Sequence, residues 1–318
     1  MRSFTLEILK HLTNITSNLY WEKRLIVLIY HRVLDKPDPM RPGEIDVATF
    51  TWHMDLLSEY FNVLPMDEAI DRIQNNTLPH RAICITFDDG YADNYHNALP
   101  ILQARHLTAC FFIATGYLNG GRMWNDTIIE SFRNIDENLL AEGILDIKHF
   151  DLTSMRHRAL TAQQFIQNIK HLPIDLREAY VKHIESITPN LPNDLMLNDH
   201  QITDLHNKGM TIGAHTVSHP ILLNLSTTEI KQELTQSRST LEQITGHPVV
   251  YFAYPNGRAG YDYLPEHTEL VKKLGFRAAF TTHFGSIMSK SDYMQLPRFR
   301  PWDNHPKTFM IRLAYMYS

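Results

Sequence analysis

Two carboxylates stand side by side at the end of an apolar run. Asp88 and Asp89 follow the sequence AICITF and precede Gly90. Adjacent carboxylates repel each other, and a bound cation removes that cost for one of them. Gly90 allows the chain to turn sharply directly afterwards. The pair therefore indicates either a cation site or an acidic turn whose aspartates cap a helix beginning near Tyr91.

Two histidines follow a second apolar run. His215 and His219 lie in the sequence HTVSHP, directly after Met210–Ala214. On one turn of helix-like chain, a spacing of four residues points both imidazoles the same way. Two neutral imidazoles and one carboxylate make a three-ligand site with open positions for water and substrate. Such a set suits Zn²⁺, Co²⁺, Ni²⁺, Mn²⁺ or Fe²⁺ rather than Ca²⁺, although 18 histidines produce one such spacing easily by chance.

Two further apolar runs end in residues that could take part in chemistry. Tyr254, Pro255 and Asn256 precede Gly257, and a Pro–Gly turn exposes backbone N–H groups that could hold a developing oxyanion. A plain strand-terminating turn has the same pattern. His31 ends another run, where a hydrogen-bonded structural histidine is the alternative to a catalytic one.

The strands and helices that would position these residues are predicted from short β-branched or aromatic runs and from helical patterns. The predicted strands are Leu25–Tyr30, Phe61–Pro65, Ala82–Phe87, Ala109–Ala114, Met210–Ala214, Val249–Tyr254 and Arg277–Thr282, with an eighth near Gln295–Arg298. Helical patterns cover Val47–Glu59, Ser226–Thr245 and Glu266–Leu274. The alternation predicts an α/β fold, either a (β/α) barrel or a doubly wound sheet. In a barrel the carboxyl ends of the strands share one face, so the acidic pair, the two histidines, the Pro–Gly turn and His31 would meet there. A site of this composition predicts a metal-assisted hydrolase.

One segment interrupts the alternation. From about Trp124 to about Gln201 no strong strand pattern occurs, and Thr161–Leu172 and Leu176–Ile187 favour helices. We therefore predict a helical insertion over about 124–201. A lid that shapes the substrate site and a purely structural elaboration are equal alternatives.

The composition is that of an ordinary globular protein. The 318 residues include 35 acidic and 30 basic side chains, a net charge of −5, and 43% are apolar. This charge argues against a nucleic-acid binder, which needs a basic face. Cys84 and Cys110 both lie in apolar runs and provide no disulfide framework.

The first 24 residues carry an amphipathic pattern. Phe4, Ile8, Leu12, Ile15 and Leu19 recur at helical spacing, so a helix is predicted over 1–24, ahead of one domain over 25–318. The helix either packs on that domain or contacts a membrane surface. Charged residues interrupt any secretory-signal pattern, and no apolar run is long enough to span a bilayer, so we expect a cytoplasmic location.

The two metal-site motifs resemble those of a known family. TFDDG at 86–90 and HTVSHP at 215–220 are similar to the first and second motifs of the polysaccharide deacetylases of carbohydrate esterase family 4, the NodB-homology domain. The resemblance covers roughly 25–300 apart from the insertion, and it implies a distorted (β/α) barrel of about seven strands. LIYH at 28–31 resembles the start of exopolysaccharide deacetylases whose motif order is circularly permuted.

The resemblance implies a role for each matching residue. Asp88 would be the general base that takes a proton from the attacking water. Asp89, His215 and His219 would hold one divalent metal, with Zn²⁺ the first expectation. The metal and a backbone N–H near Asn256 would stabilise the tetrahedral oxyanion, and a histidine acid would protonate the departing amine.

The third motif departs from the family pattern. Ala253 and Asn256 stand where the family usually carries an arginine and a tyrosine. The arginine normally orients the base carboxylate. We hypothesise that Arg298, or else Arg300, supplies this charge from another strand end.

The general acid and the sugar-binding aromatics are further hypotheses. His31 is the first candidate for the acid, and His283 is the reserve. Trp124, together with Trp302 and Tyr91, is a candidate for stacking on a sugar ring, although core or rim packing explains such residues equally well.

These observations predict a metal-dependent hydrolase that removes N-acetyl groups from an amino-sugar-containing glycan or glycan precursor. One alternative is a metal-dependent amidase that acts on a small non-sugar amide with the same residues. Another is a degenerate barrel that binds glycan without turnover, which the missing arginine keeps open. The expected partner is an acetylated amino sugar, with no nucleic acid and no transmembrane segment, and with peripheral membrane contact as an option.

Overall fold

Seven parallel strands form the central sheet of the protein. A computed structural model describes residues 23–135 and 151–317. The strands of the central sheet are β1 Leu25–Tyr30, β4 Asn62–Val63, β5 Ala82–Phe87, β6 Cys110–Ile113, β7 Thr211–Ala214, β8 Tyr251–Ala253 and β9 Ala278–Phe280. Their order is β1-β5-β6-β7-β8-β9, and β4 pairs with the start of β5. Two short strands, β2 Val33–Leu34 and β3 Ile45–Asp46, pair separately.

A short segment after β9 connects the last strand to the first. The Thr281 N–H donates to the Leu296 carbonyl at 2.9 Å, and the Phe299 N–H donates to the Val27 carbonyl at 2.8 Å. Residues 296–299 therefore bridge β9 and β1, where the sequence predicts an eighth strand. The predicted α/β fold, a distorted (β/α) barrel, is confirmed.

Helices surround the sheet and follow most of its strands. They are α1 Val47–Tyr60, α2 Met66–Gln74, α3 Leu99–Gln103 (after a π-helical turn, Asn94–Ala98), α4 Trp124–Asn134, α5 Met155–Ile169, α6 Ile174–Ser186, α7 Asp199–Asn207, α8 Thr227–Thr245, α9 Pro265–Lys273 and α10 Pro306–Met316. Helix α8 has the predicted ends: Ser226 and Glu229 form a capping box, and Gly246 closes the helix with a φ of 74°.

Apolar contacts cover both faces of the strands. On β1, Ile26 and Leu28 belong to the cluster that packs against the outer helices, whereas Leu25 and Val27 belong to a second cluster with Phe112. Because neither face meets water, the strands lack the alternation of a half-exposed sheet. Cys84 and Cys110 are buried as free thiols, as the sequence predicts.

The predicted insertion lies between the neighbouring strands β6 and β7. Its described part contains helices α4, α5 and α6 and ends within the first turn of α7, and α4, α5 and α6 share an apolar cluster that includes Phe132 and Phe165. Residues 136–150 lie outside the described residues, as does most of the predicted N-terminal helix. No helix in the described part of the chain combines the length and apolar character needed to cross a membrane. The cytoplasmic location stays a prediction.

Candidate metal centre and active-site pocket

The acidic pair sits at the carboxyl end of β5, in a sharp turn. Asp89 has a φ of 76° and Gly90 a φ of 89°, both left-handed. A Cβ atom on Gly90 would lie 2.9 Å from the Ile113 Cγ2, so a glycine is needed on steric grounds as well. The left-handed residue directs the two neighbouring carboxylates to different partners, and neither caps the helical turn that begins at Ala92.

Arg298 forms a bidentate ion pair with Asp88. Its Nη1 and Nη2 each lie 2.7 Å from one carboxylate oxygen, and both side chains are buried. The Arg298 Nε donates to the Thr281 carbonyl at 2.9 Å, which fixes the plane of the guanidinium. Burial raises the pKa of Asp88, but Arg298 and the nearby imidazoles lower it by more, so the pKa falls below its ordinary value. The structure thus places Arg298, rather than Arg300, on the candidate base.

Asp89, His215 and His219 come together beside this pair. The Asp89 Oδ1 lies 3.4 Å from both the His215 Nε2 and the His219 Nε2. That oxygen is buried and accepts no hydrogen bond from the described residues. The His215 Nδ1–H donates to the Ala253 carbonyl at 2.7 Å, so its Nε2 presents a lone pair to the cluster.

The donor set fits a transition-metal ion. Two ligands of a tetrahedral ion with bonds of about 2.1 Å are about 3.4 Å apart. The two carboxylate–imidazole distances have this value. Burial opposes ionisation of Asp89, yet the imidazoles of His215 and His219 lower its pKa well below the ordinary range. An oxygen that is buried, ionised and accepts no hydrogen bond from the described residues is a suitable first ligand for a cation.

The histidine motif is an irregular loop, and the prediction of one helix-like turn is wrong. Thr216 and His219 have φ values of 66° and 50°, which an α-helix does not contain. Glu233 on α8 holds the loop instead. Its carboxylate accepts from the N–H groups of Val217 and Ser218 at 2.7 and 2.9 Å and from the Ser218 hydroxyl at 2.7 Å.

The metal-site residues and Asp88 open into one pocket of about 590 Å³. His31 and Asn256 also line it, as do Tyr91, Arg300 and Trp302. The His31 Nδ1 is buried and has no hydrogen-bond partner among the described residues. His283 is exposed and is not among the residues that line the pocket. The geometry therefore favours His31 over His283 as the acid.

Three predicted substrate contacts lie elsewhere. Tyr254 is fully buried, donates its hydroxyl to the Met294 carbonyl at 3.0 Å and stacks on Tyr263. Pro255 is buried in the turn behind the pocket. Trp124 packs in the insertion cluster with the Arg177 guanidinium 4.9 Å from its ring centre. None of the three is among the residues that line the pocket, so their contact with the substrate stays a prediction.

A buried charge network beside the metal site has no recognisable pattern in the sequence. The Arg41 Nη2 lies 2.8 Å from the Asp126 Oδ1 and 2.7 Å from the Glu130 Oε1. The Tyr91 hydroxyl donates to the Asp126 Oδ2 at 2.8 Å. Arg41, Asp126 and Tyr91 line the pocket, and Asn125, Ile129 and Lys170 of the insertion line it too. The insertion therefore contributes to the wall of the pocket.

Comparisons with known proteins agree with this architecture. A family model described as polysaccharide deacetylase matches residues 75–279, more than half of the chain. The YxkH protein of Bacillus subtilis (strain 168), whose name includes the words polysaccharide deacetylase, is 20% identical over 277 residues, which cover 87% of this chain and 71% of that protein.

Two solved structures have the same fold. One is the Streptococcus pyogenes deacetylase PplD in complex with acetate, with a TM-score of 0.63 and 18% identity over 92% of this chain and 99% of that one. The other is IcaB from Ammonifex degensii, with a TM-score of 0.60 and 20% identity over 93% of this chain and 97% of that one.

Proposed function

The chain belongs to the polysaccharide deacetylase family, and from that membership we propose that it removes N-acetyl groups from an amino-sugar-containing glycan or glycan precursor in a metal-dependent reaction. It is a hydrolase of the amide bond of N-acetyl groups. The observation that carries the proposal is the convergence of Asp89, His215 and His219 in the same pocket as the buried Asp88–Arg298 pair.

Asp89, His215 and His219 would hold the metal. When bound, a divalent ion polarises the amide carbonyl and lowers the pKa of a water molecule. We propose Zn²⁺, because one carboxylate and two imidazoles suit it, and Co²⁺, Ni²⁺, Mn²⁺ and Fe²⁺ accept the same donors.

The other pocket residues then move the protons. Asp88, ionised and held in one plane by Arg298, accepts a proton from the water that attacks the acetyl carbon. A backbone N–H near Asn256 faces the developing oxyanion. As the carbon–nitrogen bond breaks, His31 donates a proton to the departing amine, and the products are acetate and a free amino sugar. The Streptococcus pyogenes deacetylase PplD was solved in complex with acetate, one of these two products.

Arg298 weakens the case for a non-catalytic barrel. The family arginine is missing at Ala253, but a buried arginine from another strand end, Arg298, pairs with Asp88, the proposed base. An amidase that acts on small non-sugar amides would use the same residues, so only the choice of substrate separates it from the proposed enzyme.

Metal content and acetate release together test the proposal. The wild type and a His215→Ala/His219→Ala double variant are analysed by elemental mass spectrometry and are assayed for acetate with N-acetylglucosamine oligomers. His206→Ala/His247→Ala is the matched control, because these two rings are also close, 4.3 Å apart, but lie outside the pocket.

We expect about one metal ion per chain in the wild type and in the control, with loss of both metal and acetate release in the pocket variant. No metal in the wild type, even after incubation with Zn²⁺ or Co²⁺, would overturn the metal-dependent reaction. Bound metal with hydrolysis of simple amides but not of acetylated sugars would identify the amidase instead.

A further inference from the structure

The candidate active-site pocket adjoins a second space with a different lining. This apolar groove has a volume of about 640 Å³. It shares Met40, Gly43 and Ile129 with the polar pocket. Its other lining residues in the described part of the chain are Pro39, Pro42, Arg156, Ala159, Leu160, Gln163 and Ile166. Because three residues line both, the two spaces lie side by side, and an extended ligand held in the polar pocket has the apolar groove next to it.

One face of α5 extends along both spaces. Ala159, Gln163, Ile166 and Lys170 are spaced by four, three and four residues, which places them on one side of the helix. The first three line the groove, and Lys170, at the carboxyl end of α5, lines the polar pocket. A helix rises about 16 Å over these residues. The helix therefore forms one continuous side of an elongated site.

The two spaces offer opposite chemistry. Carboxylates, imidazoles and guanidinium groups line the pocket, whereas Arg156 and Gln163 are the polar side chains among the described residues of the groove. Leu160 leaves 55% of its surface exposed at the groove. A row of sugar rings needs hydrogen-bonding groups along its path, and the groove supplies few of them. An aliphatic chain needs only apolar surface and removes that of Leu160 from water.

We propose that the groove binds an aliphatic chain of the substrate, so that this enzyme deacetylates an amphiphilic glycoconjugate whose amino sugar enters the polar pocket. The inference rests on the proposed function, and it adds the class of substrate. The polar head meets Asp88, the metal ligands and Lys170, while the chain passes Met40 and Ile129 and lies against Ile166 and Leu160.

The test compares two soluble glycosides of N-acetylglucosamine, one with an octyl and one with a methyl aglycone, below the micelle concentration of the octyl compound. Burial of each methylene contributes about fourfold to binding, so wild-type kcat/KM should be at least about tenfold higher for the octyl glycoside. Leu160→Glu should reduce the octyl value to within about threefold of the methyl value and leave the methyl value unchanged.

Leu176→Glu is the matched control for this variant. Leu176 is also an exposed leucine of the insertion, 45% exposed on α6, but it is not among the residues that line either space. It should retain the preference for the octyl glycoside. Equal kcat/KM for the two glycosides in the wild type would overturn the proposed aliphatic site, and so would equal losses of the octyl preference in the two variants. Neither result would contradict deacetylation itself.

A failure of the proposed function gives a different result. If neither glycoside releases acetate, calorimetric titration with the octyl glycoside still shows whether the groove binds an aliphatic chain. Binding to the wild type and to Leu176→Glu, with at least about tenfold weaker binding to Leu160→Glu, would support the aliphatic site. Absence of binding, or binding that is equal in all three proteins, would overturn it.

Discussion

At the scale of single residues, Asp88 and Asp89 are neighbours in the chain but have separate surroundings. The left-handed φ of 76° at Asp89 turns its carboxylate to the imidazoles, while Asp88 faces Arg298. Burial raises the pKa of both carboxyls, and the positively charged or imidazole partners lower it by more. Two adjacent buried carboxylates are tolerated because each one has a partner of its own.

Arg298 is a positioning residue, and its replacement should affect turnover more than binding. In Arg298→Met the buried Asp88 loses two charge-assisted hydrogen bonds, so we expect kcat to fall at least about 100-fold with little change in KM. The free energy of unfolding should fall by about 3 kcal/mol, because a buried charge is left without its counter-ion. Steady-state acetate release and urea unfolding measure the two effects.

Arg300→Met is the control for this prediction. Arg300 also lines the pocket, but it is 46% exposed in its side chain and pairs with Glu44 at 3.2 Å. Its loss should change the free energy of unfolding by less than about 1 kcal/mol. Wild-type turnover in Arg298→Met would show that the base does not need this arginine.

Alanine variants of His31 and His283 distinguish between these two candidates for the general acid. His31→Ala should lower kcat for N-acetyl sugars by about 100-fold or more, because the departing amine must be protonated. An aryl acetate, whose phenolate leaves without a proton, should be hydrolysed by His31→Ala at close to the wild-type rate. His283→Ala should keep both activities, since this side chain is exposed outside the pocket. The reverse pattern would assign the acid to His283.

At the scale of elements, helix α8 supports a loop that strand β7 alone cannot hold. The loop after β7 contains two left-handed residues, Thr216 and His219, each of which costs free energy. Glu233 offsets that cost by accepting three hydrogen bonds from Val217 and Ser218. The candidate metal ligands His215 and His219 are therefore held by a carboxylate that is not part of the Asp89–His215–His219 cluster.

Removal of the Glu233 carboxylate should weaken metal binding. In Glu233→Ala the loop loses its acceptor, and we expect the Kd for Zn²⁺ to rise about 10- to 100-fold. Competition with a fluorescent chelator measures this change. Glu229→Ala on the same helix is the control: it removes the capping box with Ser226, which should cost about 1 kcal/mol of stability and leave the Kd unchanged. A similar Kd in both variants would contradict the supporting role of Glu233.

At the scale of the whole molecule, residues from the beginning and from the end of the barrel sequence complete the candidate active site. His31 follows β1, and Arg298 lies in the segment that bridges β9 and β1. Both residues lie outside the part of the chain that the family model matches, residues 75–279. Closure of the sheet brings Arg298 to Asp88 across 210 residues of sequence. The site therefore depends on the packing of residues 296–299 against β1.

The stability of this closure should depend on pH through His53. This residue is fully buried between β1 and α10, stacks on Phe309 and lies 3.1 Å from the Tyr30 hydroxyl. Burial lowers its pKa to about 4. The unfolded chain, with a histidine pKa of about 6.5, binds more protons between these values, so the free energy of unfolding should fall as the pH falls from about 6.5 to 4.

Urea unfolding at a series of pH values, with a chelator present, measures this contribution. It should reach the order of 3 kcal/mol below pH 4. His53→Gln should flatten the pH dependence in that window, whereas His183→Gln, at an exposed position of α6, should not. An unchanged slope in His53→Gln would assign the acid sensitivity to other groups.

The sequence by itself determined the strands, several helix ends and the two metal-site motifs. Strand boundaries at Leu25–Tyr30 and Ala82–Phe87 agree with the structure to the residue. The capping box at Ser226 does so as well. These features depend on interactions between residues close in the chain, such as apolar runs that need cover on both faces and side chains that cap the nearest N–H groups. A strand that ends in polar residues also predicts which side chains share one end of a barrel.

Only the tertiary structure decided which of these side chains meet. Tyr254 and Trp124 are the right chemical types for a sugar site, yet packing buries them elsewhere, and nothing local distinguishes them from Trp302. The ion pairs of Arg298 with Asp88 and of Arg41 with Asp126 join distant segments through closure of the sheet and docking of the insertion. The physical reason is that such contacts arise from the packing of whole elements, whose relative positions depend on the complete core rather than on any short stretch of sequence.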